Sequence, residues 1–202
     1  MLAERGLAPS RSRAQALIIA GKVLLDGQPV TKAGTQIDPD AALELVEPDH
    51  PYASRGALKL IAALDSFEIS PKGLDCLDIG ASTGGFTDLL LQRGARRVIA
   101  LDVGRAQLDW RLRENERVTV MEGVNARSLG PDDLPFIVDL VCIDVSFISL
   151  RLVVPPVLAH LRSDGWLICL VKPQFEAGRD QVGSGGVVRD EELRRRVIDD
   201  TV

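Results

Sequence analysis

Leu77-Asp78-Ile79-Gly80-Ala81-Ser82-Thr83-Gly84-Gly85-Phe86 leaves an apolar strand, passes through three glycines and enters the pattern of a helix. In a doubly wound sheet such a turn makes a crevice lined by backbone at the carboxyl end of the first strand, where ligands bind. Glycines let a ligand approach the main chain closely, and Asp78 supplies a carboxylate beside it. The spacing fits neither the phosphate loop GxxxxGK(S/T) nor a clean GxGxxG, and plain strand-to-helix packing accounts for one glycine-rich turn equally well.

The surrounding sequence repeats the same alternation. Strand patterns at 76–79, 98–103, 118–122, 140–145 and 166–171 are apolar on both faces, and helical patterns fall near 85–93, 105–113, 150–161 and 190–199. A further helix is expected from a Ser54 cap through Leu58, Ile61, Ala62 and Phe67. Two-faced strands separated by helices predict an α/β, Rossmann-like parallel sheet covered on both sides. Asp102, at the second strand end with Val103 beside it, lies about 20 residues beyond the glycines, where an acid accepts the hydroxyls of a ribose. The loop has no Lys or Arg between Asp78 and Gln92, which suits a nucleoside ligand without phosphates, such as S-adenosylmethionine. At the third strand end, Glu122-Gly123-Val124-Asn125 offers an acid or amide to an adenine edge, or forms only a turn.

Two more strand ends carry charge. Asp144 follows Leu140-Val141-Cys142-Ile143, too apolar a run to host an unpaired carboxylate cheaply, although an N-cap role for the next turn is the plain alternative. Lys172 follows Trp166-Leu167-Ile168-Cys169-Leu170-Val171. Adjacent strands therefore present an acid and an amine at the edge that also holds the glycine loop, which marks a site. Lys59, four residues after Arg55, reads from composition alone as a solvated helix lysine. His50 and His160 are the only histidines, so histidine catalysis and a zinc site both lack ligands, and no metal is expected.

The first fifty residues differ. Ser10 caps a helix expected over 11–20, with Ala14, Leu17, Ile18 and Gly21 on its buried face and Arg11, Arg13 and Lys22 toward solvent. A period of two follows, through an Asp26-Gly27 turn and again at 42–46. Residues 1–35 carry five Lys or Arg against two acids, within a chain of net charge −5. Glu47-Pro48-Asp49-His50-Pro51 reads as a linker. The expected division is a small α+β domain at 1–46, a linker at 47–53 and the α/β domain at 54–202. The 202 residues, 46% hydrophobic and 26% charged, exclude a wholly disordered chain. No apolar run approaches the ~18 residues of a membrane span and no signal segment opens the chain, so a cytoplasmic protein without a membrane partner is expected. Cys76, Cys142 and Cys169 sit in apolar runs and read as buried thiols.

The stretches 54–59, 78–86, 144–149 and 170–176 (Leu170-Val171-Lys172-Pro173-Gln174-Phe175-Glu176) together resemble the TlyA family, within the FtsJ-like group. Its members are described as haemolysins and as ribosomal RNA 2′-O-methyltransferases. The likeness covers nearly the whole chain, and residues 1–46 resemble the RNA-binding module of ribosomal protein S-four type, the alpha-L motif. The resemblance implies S-adenosylmethionine bound by Asp78, Gly80, Ala81, Ser82, Thr83, Gly84, Gly85, Phe86, Asp102, Val103 and Asn125. It implies ribosomal RNA or ribosomal subunits as partner, held in part by Arg11, Arg13 and Lys22, and methylation of a cytidine ribose.

The family surrounds the ribose hydroxyl with a Lys-Asp-Lys-Glu tetrad, and the motifs place the first three on Lys59, Asp144 and Lys172. The fourth has no counterpart, and Glu176 belongs to a different motif. The sequence therefore reads as incomplete at both ends relative to the family, without the start of the first module or the last strands of the sheet. Methyl transfer is an in-line displacement, so positioning dominates. Lys172 is expected to position the hydroxyl and to serve as a base, Asp144 to orient it, and Lys59 to balance the developing charge. The missing glutamate keeps a noncatalytic RNA-binding or ribosome-assembly factor as the alternative. Nothing offers the amphipathic segment that a membrane-active haemolysin would insert.

Overall fold

The computed structural model describes residues 1–8, 10–46, 50–178, 181–183 and 185–201. The chain separates into two compact units, Met1–Pro51 and Tyr52–Val202. Pro9, Glu47, Pro48 and Asp49 of the linker, and Val202 lie outside the described residues.

In the first unit Ser10 accepts a hydrogen bond from Arg13 N and opens α1 (Arg11–Ile19). Gly21, at φ +66°, ends it, with Lys22 N bonded to Leu17 O and Gly21 N to Ile18 O, so a left-handed residue closes the helix. The chain then forms β1 (Val23–Leu25) and β2 (Gln28–Val30), and later β3 (Leu43–Leu45), in an antiparallel sheet of order β2-β1-β3. Asp26 and Gly27 both have positive φ, the geometry of the two-residue hairpin turn that an Asp-Gly pair favours. Leu2, Ala8, Ala14 and Val23 form the small core.

The second unit holds five strands, all parallel: β4 (Asp75–Ile79), β5 (Arg97–Asp102), β6 (Val118–Glu122), β7 (Val138–Ile143) and β8 (Leu161–Cys169), in the order β6-β5-β4-β7-β8. From β4 the chain goes first to one side and later to the other, so a crevice opens beyond the carboxyl ends of β4 and β7. This is the doubly wound α/β sheet that the alternating patterns predict. Successive side chains point to opposite faces. Cys76, Val98, Ala100, Leu140 and Cys142 pack under α2 (Gly56–Ser66) and α3 (Gly85–Gln92). Leu77, Ile79, Ile99, Val141 and Ile143 pack against α5 (Leu150–Leu158). A short α4 (Trp110–Arg113), α6 (Pro173–Glu176) and α7 (Glu191–Asp199) complete the unit.

The structure departs from the sequence reading where side chains bind backbone. Residues 105–108 are not helical. Glu122 accepts from Ala106 N, Gln107 N and Leu108 N, Ala106 takes φ +56°, and Asp109 caps α4 only at Trp110. Ser54 is not the cap of α2; its Oγ accepts from Gly56 N, one step before the helix proper. α5 stops at Leu158 after Pro155 and Pro156, which have no N–H to give their turn. His160, inside the helical pattern expected near 150–161, is instead buried beyond that end, with its carbonyl accepting from Val138 N. Cys76 and Cys142 are buried as expected, while Cys169 is half-buried. Desolvation pushes the Cys76 thiol up to about 12.

Candidate active site

Three loops meet at the carboxyl edge of the sheet. After β4, Gly80 takes φ +83°, and a Cβ there would come 2.5 Å from the carbonyl oxygen of Asp144. Only glycine lets the first loop lie on the backbone that follows β7. Asp144 N donates to Ile79 O and Leu170 N to Ile143 O, which ties the ends of β4, β7 and β8 together. The sites of Asp144 and Lys172 are thereby fixed by the main chain rather than by their own side chains.

Asp144 stands between two ammonium groups. Lys59 Nζ, from α2, donates to its Oδ2 at 2.9 Å, and Lys172 Nζ lies 2.5 Å from its Oδ1. Lys172 also donates to Ser146 Oγ at 2.9 Å. Burial opposes ionisation of Asp144, but the hydrogen bonds from Lys172 and then Lys59 outweigh it and hold the carboxyl below the usual carboxylate range. Lys59, from a helix 85 positions earlier, is thus brought onto the same carboxylate as Lys172.

The glycine stretch divides into parts with different work. Gly80, Ala81, Ser82 and Thr83 line a small pocket of about 150 Å³ that reaches from Asp78 to Asp144. A Cβ at Gly84 would strike Leu112 Cδ1, and one at Gly85 would strike Ser54 Oγ, so these two glycines serve helix packing. Phe86 belongs to the core, and both it and Gly85 also line the small pocket. Asp78, which lines the same pocket, is 1% exposed; its Oδ2 accepts from Thr87 N at 2.9 Å and Thr87 Oγ1 at 2.7 Å, while its buried Oδ1 has no partner among the described residues. Desolvation raises its pKa to about 7 despite the two bonds from Thr87.

A larger cleft of about 970 Å³ runs beside it, past Gly80, Asp102, Val103, Asn125 and Asp144. Asp102, at the end of β5, accepts from Ser82 N at 2.8 Å and Gly104 N at 2.7 Å, so the carboxylate fixes the loops on either side of it. Asn125 accepts from Arg127 N and caps a turn at Ala126–Ser128, the turn reading of that motif, though it also faces the cleft. Arg11 is exposed, and Arg13 and Lys22 are half-buried, all in the first unit.

Sequence reasoning did not show the work of three residues. Glu122 shapes the loop over the cleft; a bond from Arg113 and three from backbone hold its carboxyl down at about 2. Phe147, 91% exposed at φ +64°, packs its ring 5.1 Å from that of Phe175 on the cleft wall. Positive φ is rare for a bulky side chain, a signal visible only in coordinates. Glu176 accepts from Ser149 Oγ and Leu150 N at the start of α5, so its carboxylate is engaged there.

The FtsJ-like methyltransferase model matches residues 52–202. The chain belongs to that family. The S4 domain model matches residues 1–43. The chain is 50% identical over 198 residues to the 16S/23S rRNA (cytidine-2'-O)-methyltransferase TlyA of Mycobacterium tuberculosis, covering 98% of this chain and 74% of that protein. It is 41% identical to Hemolysin A of Brachyspira hyodysenteriae, across 98% of this chain and 82% of that one. A solved structure of a candidate hemolysin from Streptococcus thermophilus superposes with a TM-score of 0.77 at 43% identity, covering 98% of this chain and 74% of that one. The TlyA resemblance read from the motifs is therefore correct, and this FtsJ-like chain has the fold it implied. Among the described residues no helix is long and apolar enough to cross a membrane, and none forms a cluster suited to a metal ion.

Proposed function

We propose that this FtsJ-like chain transfers a methyl group from S-adenosylmethionine to the 2′-hydroxyl of a cytidine in ribosomal RNA. The observation that carries the reading is Asp144 between Lys59 and Lys172, beside a glycine loop, at the switch point of a doubly wound sheet. The cofactor fits the residues present. Asp78, which lines the small pocket, has a buried acceptor without a partner among the described residues, Gly80 opens the loop, and Asp102 stands at the second strand end. Ala81, Ser82 and Thr83 would hold it through the loop, with Val103 and Asn125 along the cleft, while Gly84, Gly85 and Phe86 act by shaping that loop.

S-adenosylmethionine, when bound, supplies an electrophilic methyl group. The chain's own residues then have to hold one ribose oxygen in line with it and balance the charge that grows there. Lys172, as an ammonium, donates to the hydroxyl oxygen and positions it, Asp144 orients Lys172, and Lys59 adds a second positive charge, while the hydroxyl proton is released to water as the oxygen–methyl bond forms. The exposed ring of Phe147 offers a stacking face for a nucleobase next to these groups. Residues 1–46 are proposed as the RNA-binding module, with Arg11, Arg13 and Lys22 on phosphates, and 54–202 as the methyltransferase domain.

Calorimetric titration with S-adenosylmethionine tests the cofactor half. Binding is expected, and Asp102→Ala is expected to weaken it by about 1.5–3 kcal/mol, the scale of a hydrogen bond to a charged group. A chain that binds RNA but not S-adenosylmethionine is the noncatalytic factor instead.

A further inference from the structure

Lys172 reaches the site from the end of β8, and its ammonium has three protons to place. Asp144 Oδ1 lies 2.5 Å away and Ser146 Oγ accepts at 2.9 Å. Asp144 and Ser146 belong to one short loop after β7, whose course is set by the backbone bond from Asp144 N to Ile79 O and by the left-handed Phe147 that follows. Lys59, by comparison, meets Asp144 alone among the described residues and is more exposed, at 53% against 21% for the side chain of Lys172. We propose that Ser146 is a positioning residue for the methyl transfer: it accepts one proton of the Lys172 ammonium while Asp144 holds the head group by charge, so that the ammonium is turned to leave a proton for the ribose oxygen. This rests on the proposed methyl transfer at the same edge.

The physical reason is a matter of direction. A carboxylate alone attracts an ammonium as a point charge and leaves it free to turn about the Cε–Nζ bond. A second acceptor at a fixed place removes that freedom, and placement of a donor within about 0.5 Å and 10–20° is what a working site requires. Ser146 is exposed, so the loss of its hydroxyl leaves no cavity and exposes no buried group. Its effect on folding is correspondingly small.

Ser146→Ala and Ser146→Thr separate this role from a structural one. Ser146→Ala is expected to lower kcat about 10-fold, on the scale of one hydrogen bond to a charged group, with KM for RNA and affinity for S-adenosylmethionine unchanged. Thr, which keeps the hydroxyl, should restore most of the rate. In a Lys172→Ala background the same change should cost nothing further, because the two act as one unit. A second reading needs no turnover: in lysine side-chain NMR the Lys172 ammonium should exchange its protons slowly, and Ser146→Ala should speed that exchange several-fold while leaving Lys59 alone. An equal kcat in Ser146→Ala, an equal loss in the Lys172→Ala background, or unchanged ammonium exchange overturns the proposal. An inert parent chain whose Lys172 exchange still responds to Ser146→Ala contradicts the methyl-transfer reading and leaves the Ser146 contact standing.

Discussion

The two ends of the parallel sheet each hold an aspartate between two cations, and they use it differently. At the amino edge Asp75 lies between Arg96 and Arg97, each of which puts two nitrogens on its two oxygens, and its backbone N–H donates to Asp139 Oδ2. Arg97 also stacks over the ring of Phe136 at 3.4 Å. Guanidinium forks saturate a carboxylate and fix its plane. At the carboxyl edge Asp144 meets two lysines, point charges that leave donors over, beside an open cleft. The same charge pattern is closed at one end and incomplete at the other, and incompleteness is what a site needs if a substrate oxygen is to join it.

Substitution at the open end should give the largest effect. Lys172→Ala is expected to cost about 100- to 1,000-fold in kcat, the scale of losing a donor to a developing oxyanion. Lys172→Arg should rescue little of it, because a planar fork satisfies Asp144 and points elsewhere. Thermal unfolding of both variants should match the parent. A fully active Lys172→Arg would erase the distinction between the two ends.

The closed end should respond in stability and not in chemistry. Asp75→Ala is expected to destabilise the second unit by about 1–3 kcal/mol, a modest figure because both arginines are more than a third exposed and rehydrate. Denaturant melts give that number, and rate per folded molecule should be unchanged.

A pH series sharpens the same contrast. Burial works against the Asp75 charge, but the hydrogen bonds from Arg96 and Arg97 bring its pKa down to about 2. A carboxyl whose folded pKa lies below its unfolded value of about 3.9 contributes stability above that value and loses it as pH falls toward 2. The stability gap between the parent and Asp75→Asn should therefore be full at pH 6 and close between about pH 4 and pH 2. A gap that persists at pH 2 would mean that the loss comes from packing.

The smallest effect belongs to Arg96→Lys, which keeps the charge but loses the fork, and should lower the melting temperature far less than Asp75→Ala does at this exposed position. A melt within error of Asp75→Ala would show that the fork, rather than the charge, carries the clamp.

The open end was more legible in the sequence than the closed one. Apolar runs ending in Asp78, Asp102, Asp144 and Lys172 mark strand ends by composition alone, and parallel topology then sends all four to one edge. Lys59 could not be read that way, since a helix lysine has no periodic signature of where its amine goes; the family motif supplied it. The Asp75 clamp was invisible because its partners, Arg96 and Arg97, look like an ordinary solvated pair at the start of β5. Glu122 was read from the sequence only as an acid for an adenine edge, and Phe147 was missed, for a related reason: one binds backbone N–H groups in a loop, the other takes a left-handed conformation, and neither leaves a pattern in residue types.

The central claim is that the open aspartate and its lysines act on a ribose hydroxyl. The direct measurement is transfer of labelled methyl from S-adenosylmethionine to ribosomal subunits by the parent chain and by Lys172→Ala, with the modified nucleotide mapped. The account predicts label on the 2′-oxygen of a cytidine with the parent chain, little or none with Lys172→Ala, and equal binding of S-adenosylmethionine by both. Label on a base, or equal transfer by the two proteins, would contradict it.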